Sequence, residues 1–403
     1  MSVGRWLSRA AEYFQKNEPA AGPEVERKLE DLNRLRHDPD STEVLSGYLL
    51  DRSKRVRDRA AAALAGQGKQ PRNPAERCVF FISTRNWSGL QSLSALELIA
   101  AWAKKDSLSP GGFWTVYLIA ALLALGPPAA EQLARFLDEH DGSMNSKIVV
   151  LWTLGLFGAE EQLPRLRAVY EQDRNQRMRL AVVQACRFLG QPGQELLVDL
   201  LGAEETDEVV RAAAGRGAAA LGSSATADLV GLLKSKNGKV REHAALALFS
   251  SGDPEGLVAL SSLRHKERDG RLRALISRLL IDMGGDGRDW SDLADTDRAA
   301  ALIEPEQCIR RLQLRDEEQI VTVCTLALGN AADPRAARPL MDVAMAGMED
   351  MLTAEAWMAL SRLAGHEEGR RCLFSGLEHG ELYSRFWAGL GLLMAGKAIL
   401  DRL

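Results

Sequence analysis

The run Gly391-Leu392-Leu393-Met394-Ala395-Gly396-Lys397 has the glycine and lysine spacing of a loop that cradles nucleotide phosphates. That chemistry also needs a hydroxyl residue after the lysine to hold magnesium, and a strand leading into the loop. Ala398 stands in the hydroxyl position and the run sits inside a helical pattern, so the match fails. Metal chemistry fares no better. The six histidines (His37, His140, His243, His265, His366, His379) form no HExxH and no paired Cys-His spacing. Asp286, Asp289 and Asp292 fall three apart, whereas a calcium loop of the EF-hand type alternates its ligands two apart. GxSxG is absent, and the five cysteines (Cys78, Cys186, Cys308, Cys324, Cys372) are scattered without a CxxC, so neither a nucleophile with its base nor a disulfide framework is indicated. No cofactor and no catalytic constellation are expected.

What does recur is charge. A basic residue is followed eleven positions later by glycine at Arg57/Gly68, Lys147/Gly158, Arg179/Gly190, Arg211/Gly222, Arg241/Gly252, Arg273/Gly284 and Arg385/Gly396. The frames Thr115/Gly126, Glu318/Gly329 and Ala354/Gly365 keep the glycine without the base. Equivalent positions of stacked units lie on one line, about 10 Å apart, and such a column could read a line of carboxylates or phosphates. The column also has a structural reading, since a buried or half-buried arginine is usually paired, and Asp173, Asp207 and Glu208 stand ready. Glu242, His243, Arg216 and Arg278 are expected as exposed neighbours on the same helices.

The elements that position this column are helices. From Gly126 to Gly284 the glycines are 32, 32, 32, 30 and 32 residues apart. Three and seven residues after the basic position the side chains are apolar throughout, as in Val182 and Cys186, or Ala244 and Leu248. Residues four apart share one helix face. The closing glycine suits the left-handed position that stops a helix. Upstream of each frame a second amphipathic stretch appears, such as Leu196-Leu197 with Leu200-Leu201, joined to it by a polar link such as Lys234 to Lys239. One repeat is therefore helix, turn, helix in about 32 residues, and such a pair can bury both apolar faces only by stacking on its neighbours.

Composition agrees: 46% hydrophobic, 26% charged and rich in Ala and Leu, which favours helix. The net charge of −4 argues against a dedicated nucleic-acid binder. The N-terminus lacks the apolar core of a secretory signal, and the apolar run 116–125 is too short to span a bilayer, so a cytoplasmic protein is expected. Residues 1–40 fall outside the repeat; an amphipathic stretch around Arg5 to Phe14 and a second helix over 24–36 are expected to cap the first repeat, with too few basic residues for strong membrane attraction. Between Gly284 and Gly329 the gap of 45 implies an acidic insertion near 285–315, and between Gly68 and Gly126 the gap of 58 implies two shortened repeats, with helices starting at Pro74 and over 93–104.

Val56 to Leu64 and Val240 to Leu248 both read Val-Arg-x-x-Ala-Ala-x-Ala-Leu, allowing for small substitutions. This run resembles the second helix of HEAT repeats, and more narrowly the bacterial HEAT-like repeats of phycobilisome lyases, over roughly residues 41–403. The resemblance implies an all-α, right-handed α-α superhelix (a HEAT-repeat solenoid) of about ten helix pairs. It says little of function, because the repeat serves scaffolds, adaptors and a few enzymes. HEAT-repeat hydroxylases hold di-iron with several His-Glu pairs, and here only His366-Glu367 has that order. HEAT-like DNA glycosylases work on a basic concave surface, for which Trp152, Trp387 and Asp289 are poor candidates in an acidic chain. The expectation is a non-catalytic scaffold or adaptor that holds an extended peptide or helix of a protein partner on its concave face. The candidate contacts are Lys147, Arg179, Arg211, Arg216, Arg241, His243, Arg273 and Arg278. A lyase-type subunit acting on another protein and a nucleic-acid-binding protein are the alternatives.

Overall fold

The computed structural model describes residues 22–51, 53–103, 113–139, 142–158, 160–280, 305–314, 317–346 and 350–402. Among these no strand occurs, and 23 helices longer than a single 3-10 turn follow one another. The expected all-α architecture of paired helices is what the described residues adopt. Arg5 to Phe14, the aspartates at 286, 289 and 292, and Gly284 lie outside the described residues. The chain divides into two compact units, 1–153 with 396–403 and 154–395.

The first unit holds α1 (Pro23–Leu35), α2 (Thr42–Tyr48), α3 (Lys54–Gly66), α4 (Pro74–Ser83), α5 (Trp87–Gln91), α6 (Ala95–Ala103), α7 (Phe113–Leu125) and α8 (Pro127–Glu139), while α9 (Met144–Phe157) runs across the division. Helix α1, expected from the sequence, packs along α3 through Lys28–Asp51 at 2.8 Å and Arg59–Asn33 at 2.9 Å. The short helices α4 to α6 fill the gap between Gly68 and Gly126, with Asn73 capping α4 ahead of Pro74. Trp102, Trp114 and Tyr117 meet at 5.0 to 6.4 Å between ring centres, and the Arg57 guanidinium lies 5.6 Å above Trp114. Burial pushes the nearby Cys78 thiol up to about 12 and raises the Tyr117 phenol still more, so both act as packing groups.

The second unit is a series of hairpins: α10 (Leu163–Gln172) with α11 (Gln176–Leu189), α12 (Gln194–Gly202) with α13 (Glu208–Ala219), α14 (Thr226–Leu232) with α15 (Gly238–Ser251), and α16 (Pro254–Lys266) with α17 (Gly270–Arg278). There follow α18 (Pro305–Leu314) with α19 (Glu318–Ala331), α20 (Ala337–Met345) with α21 (Asp350–Arg362), and α22 (Glu367–His379) with α23 (Leu382–Arg402). Part of the stretch expected as an insertion is thus the regular helix α18. Each second helix from α11 to α17 begins at an Asn or Asp four residues before the basic position. Asn175, Asp207, Asn237 and Asp269 each accept a backbone N–H of the first turn, and losing such a cap costs about 1 kcal/mol. The glycine stop forms where expected at Gly68, Gly126, Gly158, Gly190, Gly222 and Gly252, whose φ lies between 65° and 81°. Neighbouring hairpins are tied laterally by pairs one repeat apart, such as Arg167–Asp199 at 2.8 Å and Gln194–Asp228 at 2.9 Å.

The pattern shifts late in the chain. Gly329 lies inside α19, where a Cβ would come within 2.8 Å of the Ala359 Cβ; it serves close helix approach, and the left-handed stop passes to Ala332 at φ 51°. The true frame there is therefore Val321/Ala332, three residues beyond the expected one. Gly365 ends a 3-10 turn and Gly396 lies within α23, so neither is a left-handed stop.

A larger departure concerns the inner face. Helix α15 buries Val240, Ala244, Ala245, Ala247, Leu248, Phe249 and Ser250, residues all around its circumference. A helix buried all round must be covered on two sides. The first-helix layer, with α14 and α16, covers one side of α15, and α19 covers the other. The sequence reading leaves the second-helix face open to a partner; across α15 it is instead covered by α19, which also bonds the end of α13, and side chains of α21 reach α11 and α13. The reason is that α19 and α21 are themselves apolar on most sides, with Ile320, Val321, Val323, Cys324 and Leu326 to Gly329 all buried, and find their second cover here.

Candidate functional site

Two sets of arginines need separate treatment. The first is the repeating column. Its residue sits in the first turn of each second helix, and helical side chains lean back toward the N-terminus. It therefore reaches the link and the final carbonyls of the first helix, which have no partner within that helix. Arg57 Nη1 donates to Asp51 O at 2.9 Å, Arg179 Nε to Asp173 O at 3.0 Å, Arg241 Nη1 to Ser235 O at 3.0 Å and Arg273 Nη1 to Glu267 O at 3.3 Å, each six residues back. Arg211, 2% exposed, donates to Leu201 O at 2.6 Å and Thr206 O at 3.0 Å, and Arg385 Nε to Gly380 O at 2.6 Å. A cation at a helix C-terminus also meets the negative end of its dipole.

Additional partners reinforce the column. Arg179 lies 4.8 Å from the Tyr170 ring centre. Arg241 forks onto Glu267 at 2.8 and 3.0 Å, and this bond, with two backbone N–H groups, holds the Glu267 carboxyl below the usual range. Lys147 is half-buried in α9.

The four residues expected in solvent are all partnered, Glu242 with Lys239 at 2.9 Å. His243 meets Glu208 at 2.8 Å, with its side chain 12% exposed. Arg278, 31% exposed, pairs with Glu317 at 3.0 Å. Arg216 turns toward α21 and approaches Glu355 at 3.5 Å, which corrects its placement as an exposed contact.

Arg216 belongs to the second set. Arg187 of α11 donates to Glu355 at 2.9 Å and contacts its other oxygen at 2.7 Å, with both side chains under a tenth exposed. Arg362 of α21 donates to Ala220 O and to Asn330 Oδ1, and Asn330 of α19 donates to Ala219 O at 2.9 Å and Ser250 O at 2.8 Å. This clasp fastens α19 and α21 to α11, α13 and α15. Burial lowers the affinity of Arg216 for its proton, and Glu355 only partly opposes this. Burial and the charge of Arg187 bring Arg362 down to about 10. Sequence reasoning missed Arg187, Asn330, Glu355 and Arg362. One signal was available: eight residues after the first position of each frame stand Ala65, Leu123, Gly155, Ala219 and Phe249, and the charges in that column are Arg187 and Arg362, both of the clasp.

A third feature is apolar. Between α18, α19 and α20 lies a groove of about 410 Å³, walled by Leu312, Val321, Pro339, Val343 and Met345 with Asp342 at its edge. Leu314 is 65% and Met345 39% exposed. No group of three or more metal-binding side chains occurs among the described residues, and no described helix is long and apolar enough to cross a membrane.

Comparison with known proteins bears on the repeat alone. Residues 130–215 and 194–280 match the family model described as HEAT repeats. No curated protein matches the sequence. Among solved structures, the chain is similar to one in the crystal structure of Kap121p bound to Nup53p, at 14% identity and a TM-score of 0.36, covering 95% of this chain and 47% of that one. The chain thus spans about half the length of that relative. It is also similar, at 14% identity and a TM-score of 0.24, to a chain from a structure concerned with a phosphorylation switch in the interaction between cadherin and beta-catenin, covering 98% of this chain and 100% of that one.

Proposed function

We propose, from the premise that residues 130–280 are HEAT repeats, that the chain is a non-catalytic scaffold which holds a protein partner. The observation that carries this reading is the apolar groove between α18, α19 and α20. Three of the five large hydrophobic residues with the most exposure, Leu314, Met345 and Met351, fall within 314–351. Folded chains keep large apolar side chains out of water unless a surface is meant to be covered. An amphipathic helix of the partner suits the groove, laying its apolar side on the exposed Met345 above the buried Leu312 and Val321, with a basic residue placed to meet Asp342. The basic column is a weaker contact surface than its spacing suggests, because its guanidiniums serve carbonyls of their own hairpins. The same engagement removes the stripe that a nucleic-acid reading requires.

A photo-cross-linking residue at position 314 tests the groove. One protein cross-linked there in proportion to the bait, and lost in Met345→Asp, supports the reading. Burying a methionine contributes about 1.5–3 kcal/mol, so the loss in affinity is about tenfold or more. The same background of proteins from position 314 and from the exposed Val44 of the first unit would remove the groove from consideration.

A further inference from the structure

The clasp holds more positive charge than it pairs. Three guanidiniums, from Arg187, Arg216 and Arg362, face one buried carboxylate, Glu355, with Glu318 acting on Arg216 from further off. The other acceptors present are neutral: the carbonyls of Ala219, Ala220 and Ser250 and the amide oxygen of Asn330. The arrangement also leaves donors over. Arg187 Nε is buried and makes no hydrogen bond, with Arg187 as a whole 9% exposed, and Arg216 Nε makes none either, its nearest acceptor being Glu355 at an ion-pair distance of 3.5 Å. A buried N–H without an acceptor costs about 1–3 kcal/mol, more when it is charged, and native proteins fill such places with water or an ion. Yet the site is reachable: Arg216 is 20% exposed, and the 36% exposed Met351 beside it marks the way in.

We propose that this cluster binds an oxyanion of the phosphate type between Arg187, Arg216 and Arg362. Guanidinium forks match tetrahedral oxyanions with two parallel N–H bonds. The unused Nε of Arg187, and the Nε of Arg216 that only a 3.5 Å contact ties to Glu355, are the groups that would complete such forks. A dianion also balances the charge that Glu355 leaves over, where a halide would balance only part of it. Because the arginines come from α11, α13 and α21, the anion ties the covering helices to the repeat they cover. This site is separate from the groove between α18, α19 and α20 and stands or falls without it.

Inorganic phosphate is the first probe, titrated into the full chain by calorimetry and by thermal unfolding, with chloride at matched ionic strength as control. Saturable binding in the millimolar range or tighter is expected, with a rise in Tm that chloride does not give. Arg216→Gln weakens binding at least tenfold. Glu355→Gln removes the competing carboxylate while keeping its shape; this variant melts lower than the parent in chloride, gains more from phosphate than the parent does, and binds phosphate at least tenfold more tightly. That opposite response separates an anion site from a structural ion cluster, and it survives if Arg216→Gln fails to fold. O-phosphoserine distinguishes the source of the ligand: equal or tighter binding assigns the site to a phosphoryl group carried on another molecule, and binding of phosphate alone assigns it to the free ion. No saturable binding of phosphate, phosphate affinity unchanged in both variants, or no Tm response beyond that of chloride overturns the proposal.

Discussion

The arginines of the hairpin links and those of the clasp share a side chain and differ in everything around it. In the links, one guanidinium meets the carbonyls of one short turn, and the same solution recurs from Arg57 to Arg385. In the clasp, Arg187 meets Glu355 across 168 residues of chain and Arg216 approaches it from another helix, while Arg362, on the helix of Glu355, bonds Ala220 and Asn330. A local bond is formed as soon as its own hairpin forms. A distant one exists only after the covering helices have docked. The first kind therefore sets the stability of each repeat, and the second kind sets whether α19 and α21 stay in place.

Removing Glu355 tests that division most severely. Glu355→Ala leaves Arg187 buried without its carboxylate, and breaking a buried pair costs about 3–5 kcal/mol. Urea unfolding should show an early transition that reports α19 and α21 coming away while the preceding hairpins persist. A single transition shifted as a whole would mean that clasp and repeat are one cooperative body. Arg211→Ala orphans the carbonyls of Leu201 and Thr206, at about 3 kcal/mol for the charged hydrogen bonds lost. Its effect should centre on α12 and α13, read as faster amide exchange there.

Arg179→Ala removes one such bond and the contact with Tyr170, and about 1.5 kcal/mol is expected. Equal losses for Arg179→Ala and Arg211→Ala would show that burial does not grade the column. At Ala332 the sign reverses. A non-glycine residue in the left-handed region carries about 1 kcal/mol of strain, so Ala332→Gly should raise Tm slightly, where Gly252→Ala should lower it by a similar amount.

The smallest effect concerns acid. Glu267 titrates below its ordinary value of 4.5 because Arg241 bonds its charged form. A carboxyl lowered in the folded state contributes stability that is present above its unfolded pKa and lost as pH falls through the folded pKa. Stability measured from pH 6 down to pH 3 should fall less in Glu267→Gln than in the parent. An identical slope in the two proteins would remove Glu267 from the acid response.

Much of this was legible in the residues. The period between Gly126 and Gly252, the apolar pair at each Val182 and Cys186, and the stop at Gly190 or Gly222 all follow from helical geometry within some 32 residues, and the structure reproduces them. The shift at Gly329 was not legible, because a glycine that ends a helix and one that admits a neighbour look alike in sequence. Arg216 looked like a surface residue for the same kind of reason: its one-dimensional neighbours say nothing of Glu355, which lies far along the chain. The two charges in an otherwise uncharged column, Arg187 and Arg362, were the visible trace of the clasp, without a hint of Glu355.

By itself the sequence determined the hairpin: helix periodicity, an Asn or Asp start, a glycine stop and an arginine within reach of the link's carbonyls, since each of these is settled by residues close along the chain. Only the tertiary structure decided which faces stay open. A helix that is apolar all round requires a second cover but does not name it, and the choice of α19 and α21 rests on shape and charge brought together from opposite ends of the second unit.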